Sequence, residues 1–139
     1  MKVSVLDTSA LVRLYIPDGP IPEGTEAALD GAWRGDEVLL VPELALAEVA
    51  QVLLKKEQAR LLNADEAEGI LEEILTLPLH VVGHTALISS AASLARRLDL
   101  TICDSLFLAL ALERGAPLLT GDQALAEALV RAGQGAPSL

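Results

Sequence analysis

The chain is 139 residues long and 52% hydrophobic, which suits one compact domain over 1–139 that buries about two-thirds of its unfolded surface. Twenty acidic against ten basic residues give a net charge of −10, so no global positive field gathers a polyanion, and Tyr15, Trp33 and Phe107 are too few aromatics for an extended base-stacking platform. Cys103 is the only cysteine, which excludes an intramolecular disulfide and a cysteine-built zinc site; no apolar run approaches the roughly 18 residues of a membrane span, so a cytoplasmic protein with no membrane partner is expected.

The first predicted element is a short buried strand, "KVSVL" (2–6), which runs directly into Asp7. "IPDGPIPEG" (16–24) follows as the clearest loop, its three prolines and two glycines fixing turns. "EVLLV" (37–41) is the second strand, and Pro42 then sits where a first helical turn tolerates it, ahead of the apolar spacing of "ELALAEVAQVLLKKEQARLL". Asn63 with Glu66 forms a capping box before "AEGILEEILTL", which Pro78 ends. "LHVV" (79–82) is a third strand, followed by the helix "HTALISSAASLARRL" (84–98). "TICDSLFLALALE" (101–113) is a helix apolar almost all the way round, and is therefore expected to be buried on most sides. "APLLT" (116–120) gives a fourth strand and "QALAEALVRAG" (123–133) a last helix; the tail "GQGAPSL" is either frayed or a short edge strand. Strands alternating with helices imply βαβ units, so the fold class is α/β with a parallel sheet between helices.

Four carboxylates stand out by context. Asp7 follows the first strand and Asp122 lies two residues past the last, at strand carboxyl ends where open α/β sheets bind ligands; either one alone is also explained as a helix cap. Glu48 lies mid-helix, where capping does not apply, on a stripe with Gln51 and Lys55 that would otherwise be a solvated face. Asp104 opens the apolar helix, and its spacing from Thr101 fits a capping box in which both side chains serve first-turn donors. Four such groups in one cleft repel by roughly 4 kcal/mol per pair at about 4 Å and an effective dielectric near 20, so something cationic must lie between them. Oxygen donors without cysteine or a well-placed histidine suit Mg²⁺ or Mn²⁺. His80 and His84 flank a strand without metal-ligand spacing, Cys103 is read as a packing residue, and Arg13, Lys55, Lys56, Arg60, Arg96 and Arg97 are the bases available to phosphate, with solvated salt-bridging the ordinary reading of each.

In "VLDTSAL" with Asp7 and Ser9, "ELALAEVAQVL" with Glu48, "TICDSLFLALA" with Asp104 and "LLTGDQAL" with Thr120 and Asp122, the chain resembles a PIN-domain ribonuclease of the VapC toxin type over nearly its whole length. The resemblance implies a PIN-like α/β/α sandwich with a short parallel sheet of four or five strands and an acidic pocket at the sheet's carboxyl end. It implies metal-dependent endonucleolytic cleavage of RNA phosphodiester bonds. It also implies an antitoxin that blocks the pocket. In that scheme Asp7, Glu48, Asp104 and Asp122 are catalytic and hold one or two Mg²⁺ or Mn²⁺ ions, while Ser9 and Thr120 hydrogen-bond the carboxylates or phosphate. The −10 charge favours a basic tail on the antitoxin, and a homodimer or larger assembly is expected. Similar proteins usually carry a further strand after the last helix, for which "GQGAPSL" is a thin candidate.

Other readings of an α/β chain fit less well. A phosphotransfer receiver needs an acidic pair near the first strand and a late lysine, but Asp7 stands alone and no lysine follows Lys56. A haloacid-dehalogenase-like phosphatase needs an aspartate where Ser9 stands, and no glycine-rich phosphate loop follows any strand. The alternative that remains is a non-catalytic PIN-like module that binds RNA or protein, against which the retention of all four acids speaks.

Overall fold

The computed structural model describes residues 1–134; the candidate fifth strand in "GQGAPSL" falls almost entirely outside the described residues. Four strands, β1 (Lys2–Leu6), β2 (Glu37–Pro42), β3 (Leu79–Val82) and β4 (Leu118–Leu119), form a parallel sheet in the order β3-β2-β1-β4. Val5 pairs with Leu40 on one side and with Leu118 on the other, and Leu39 pairs with Leu79. Val5, Leu6, Leu39, Leu40 and Val41 are all buried, because a parallel sheet covered on both faces needs continuous apolar runs rather than alternation.

The helices are α1 (Thr8–Arg13), α2 (Thr25–Trp33), α3 (Leu44–Gln58), α4 (Ala64–Leu75), α5 (Ile88–Leu98), α6 (Ile102–Arg114) and α7 (Gln123–Gln134), with a 3-10 turn at Thr85–Leu87 before α5. The first two connections step the same way across the sheet, from β1 to β2 to β3, whereas the third returns past both to β4. Right-handed crossovers therefore put the two sets of helices on opposite faces. The packing agrees: α1, α3 and α4 form one layer with α2 and α3 against β2, and α5, α6 and α7 form the other with α6 against β1 and β2. Every residue of α6 from Ser105 to Ala111 is buried, as its unbroken apolar circumference requires.

Three local expectations are corrected. Pro42 belongs to the end of β2, paired with Val82, and α3 begins only at Leu44; lacking an N–H, a proline is accommodated at a strand end about as readily as in a first turn. α3 ends at Gln58 rather than running to Leu62, because Arg60 takes a left-handed conformation (φ 62°) that breaks the helix before Asn63 caps the next one. α2 is not signalled by the sequence, because "TEAALDGAW" carries an Asp and a Gly in mid-segment and only a weak apolar face.

Candidate active site

In this strand order the chain leaves β1 towards β2 on one side while β4 lies on the other, so a crevice opens between the carboxyl ends of β1 and β4. Asp7 and Asp122 stand at its two lips. A cavity of about 330 Å³ begins there, lined by Asp7, Thr8, Ser9, Val12, Arg13, Asp18, Glu48, Val52, Asp104, Phe107 and Asp122. All four singled-out carboxylates thus share one cavity: Asp7 and Asp122 from strand ends, Glu48 from the middle of α3 and Asp104 from the first turn of α6.

Asp7 is 5% exposed and accepts three hydrogen bonds. Its Oδ1 accepts from Ser9 Oγ at 2.7 Å and from the Ala10 N–H at 2.9 Å, and its Oδ2 accepts from Thr120 Oγ1. Both hydroxyls are themselves held by the β4–α7 connection. Ser9 Oγ accepts from the Gly121 N–H at 2.8 Å, and Thr120 Oγ1 from the Asp122 N–H at 2.9 Å. Asp7 therefore caps α1 and also stitches β1 to the turn after β4. Asp122 likewise caps its own helix through Oδ1, which accepts from the Ala124 N–H at 2.9 Å. Capping and cavity-lining are compatible because a carboxylate has two oxygens and about four lone-pair sites.

Glu48 is half-buried, and its Oε1 accepts from Thr8 Oγ1 at 2.8 Å. Sequence reasoning missed Thr8, whose partner lies 40 residues away; only its place between Asp7 and Ser9 hinted at the site. At α6 the expected capping box forms only by half. Thr101 Oγ1 accepts from the Asp104 N–H at 3.1 Å, but among the described residues no bond returns from the Asp104 carboxylate to the Thr101 N–H. Both Asp104 oxygens are left to the cavity.

Three of these acids are pushed above the ordinary carboxylate range. Burial is the first cause for each of them. For Asp7 it is opposed by the donors from Thr120, Ser9 and Ala10, and reinforced by the charge on Asp122. Glu48 is held up by burial and by Asp104 and Asp7, against the bond from Thr8. Asp104 is raised by burial and then by Asp122 and Asp7, with Thr101 acting the other way. The Cys103 thiol is raised too, by burial first and then by Glu48 and Asp104. These acids raise one another because they share a partly buried space, and Arg13, which lines the same cavity, pairs with none of them among the described residues.

The oxygen-only donor set fits a hard divalent ion. Among the described residues, however, no three carboxylate, imidazole or thiol side chains are gathered tightly enough to grip an ion as they stand. One oxygen of Glu48, one of Asp122 and both of Asp7 already accept from protein donors. Such an arrangement suits an ion that keeps several of its waters, as Mg²⁺ does. Of the candidate bases, Arg13 lines the cavity, and Lys56 reaches its edge by pairing with Asp18 at 2.6 Å. Lys55, Arg60, Arg96, Arg97, His80 and His84 do not line it.

Comparison with known proteins gives consistent results. The model of the PIN domain matches residues 4–129. Ribonuclease VapC3 of Pyrobaculum aerophilum is 35% identical over 125 residues, which cover 88% of this chain and 92% of the relative. Two crystal structures share the fold. PAE2754 from Pyrobaculum aerophilum superposes with a TM-score of 0.65 at 22% identity, covering 96% of either chain. VapBC2 from Rickettsia felis, solved with a DNA fragment from its promoter, gives a TM-score of 0.65 at 16% identity over 95% of this chain and 92% of the other.

Proposed function

Since the chain belongs to the PIN-domain family, we propose that it is a divalent-metal-dependent endoribonuclease that hydrolyses RNA phosphodiester bonds, acting as the toxin of a toxin–antitoxin pair. The observation that carries this reading is the meeting of Asp7, Glu48, Asp104 and Asp122 in one cavity, none of them ion-paired among the described residues. The 35% identity to Ribonuclease VapC3 supports RNA as the substrate. Among the described residues no helix is long and apolar enough to cross a membrane, in keeping with a protein that meets RNA in the cytoplasm.

Asp7, Glu48, Asp104 and Asp122 would hold Mg²⁺ or Mn²⁺ directly or through water. Bound there, such an ion would supply Lewis-acid chemistry, easing deprotonation of a water and offsetting the negative charge that builds on the phosphoryl and leaving oxygens. Asp7, fixed on both oxygens, supplies an anion that does not move. Asp104, free on both, is the most adaptable ligand. Glu48 has Oε1 tied to Thr8, so its Oε2 is the atom available to orient the attacking water. Ser9 has no nucleophilic role in this scheme; its hydroxyl donates to Asp7 and accepts from the Gly121 N–H. Ser9 and Thr120 hold Asp7 in place.

The reading includes a partner antitoxin whose basic tail enters the acidic cavity and displaces the ion, and a homodimer or larger assembly, which light scattering of the purified chain tests. For the activity itself, labelled RNA is incubated with the protein in Mg²⁺, Mn²⁺ or EDTA and resolved on a denaturing gel. Cleavage in either metal, lost in EDTA and in Asp104→Asn, is the expected result. RNA that is bound tightly in EDTA and never cut would replace this reading with the non-catalytic binding module.

A further inference from the structure

Arg13 closes α1, and its side chain turns back into the acidic cavity rather than out to solvent. The guanidinium lies over two glycines. A Cβ built on Gly19 would fall 2.8 Å from Arg13 Cζ, and one on Gly121 would overlap the guanidinium outright. Gly19 also has a φ of 152°, but no such backbone demand applies at Gly121, where the missing side chain serves only to leave room. Among the described residues the guanidinium makes a single hydrogen bond, from Nη1 to the Pro20 carbonyl at 3.2 Å, and no ion pair. The absence of an ion pair is unexpected in a cavity lined by five carboxylates. Asp18, the nearest in sequence, is engaged with Lys56 instead.

A planar fork of five donors with one used is suited to a phosphate, which it can grip through two parallel N–H···O bonds. The cavity also needs such a group. Its acids repel a polyanion, and a chain of net charge −10 offers no long-range attraction to offset that. We infer that Arg13 is a substrate-positioning residue: its guanidinium, held open by Gly19 and Gly121, binds a backbone phosphate of the RNA beside the one that is cut. This inference rests on the ribonuclease reading of the same cavity. If Arg13 instead only pins the 17–24 loop through Pro20, it makes no contact with RNA.

The test measures binding of a short single-stranded RNA by fluorescence anisotropy in Ca²⁺, with the strand checked for integrity on a gel, across a salt series. One phosphate contact on a single strand contributes about 0.7 to the slope of log K against log salt. Arg13→Gln is expected to lower the slope by that amount, Arg13→Lys to retain it, and Arg97→Gln, an equal loss of charge on α5 away from the cavity, to leave it unchanged. Gly121→Ala keeps the arginine but displaces it, and should behave like Arg13→Gln even where that variant folds poorly. Replacing RNA linkages one at a time with neutral methylphosphonates should weaken the wild type at one linkage where Arg13→Gln loses nothing. An unchanged slope and linkage profile in both Arg13→Gln and Gly121→Ala would overturn the inference while leaving the cleavage reading intact, as would an equal fall in Arg97→Gln. A wild-type chain that neither binds nor cuts RNA would bring down the cleavage reading, and this inference with it.

Discussion

Two helices of this protein open with the same pattern, a small polar residue followed three positions later by an acid. At α4 the pattern closes on itself: Glu66 N–H donates to Asn63 Oδ1 at 2.8 Å, and the Asn63 N–H donates back to Glu66 Oε1 at 2.9 Å. At α6 only Thr101 completes its half, and the Asp104 carboxylate is left for the cavity. The difference is one of length and surroundings. A glutamate has the extra methylene to reach back around the first turn, and at α4 it is exposed with nothing better to do. An aspartate is shorter, and here it stands half-buried beside Asp7, Glu48 and Asp122, where the cavity determines its role. The same local signature thus marks a purely structural cap in one place and a freed carboxylate in another.

Neutralising each acid separates the two helices most strongly. Asp104→Asn should reduce RNA cleavage by at least about a thousandfold, since metal stabilisation of the reacting phosphate is worth several kcal/mol, whereas Glu66→Gln should leave it unchanged. Initial rates on the same RNA decide it; cleavage surviving in Asp104→Asn would return that residue to the status of a cap. The next effect belongs to the hydroxyls that aim the acids. Thr120→Val and Thr8→Val should each cost about 10- to 100-fold in rate, as loss of a ligand's hydrogen-bond partner commonly does, and should raise the metal concentration needed for half-maximal activity.

Stability does not separate the two caps. Asn63→Ala should destabilise the fold by about 1 kcal/mol with full activity retained, and Thr101→Ala by a similar amount, both read from urea melts. The smallest effect concerns pH. Asp7, Glu48 and Asp104 have folded-state pKa values raised above those of the unfolded chain, so without metal their contribution to stability is fully present below the ordinary carboxylate range and is lost as pH rises through the raised values. Metal-free Asp104→Asn should therefore be more stable than the wild type at pH 7, and the gap should close as pH falls towards 4. A gap that widened on acidification would mean that Asp104 is stabilised as an anion by a group not identified among its neighbours.

Much of this molecule was determined by the sequence alone. Buried apolar runs alternating with amphipathic segments specify a parallel α/β sheet, because only strands covered on both faces dispense with alternation, and α6 announced its burial by lacking a polar stripe. Asp7, Glu48, Asp104 and Asp122 each have an ordinary explanation alone, a cap or a solvated face, and could be picked out only jointly, by their order along strand ends and helices. Local patterns specify local bonds, and the box at Asn63 closed as its spacing implied. What the tertiary structure decided was which atoms meet across long sequence separations. Thr8 reaching Glu48, Thr120 closing on Asp7, the Gly121 N–H donating to Ser9 and Arg13 lying over Gly121 leave no periodic trace, because contacts between segments 40 to 113 residues apart depend on strand order and not on spacing. Strand order is set by the packing of whole layers, and it is this that places β4 beside β1 and so brings four acids and one unpaired arginine to a single crevice.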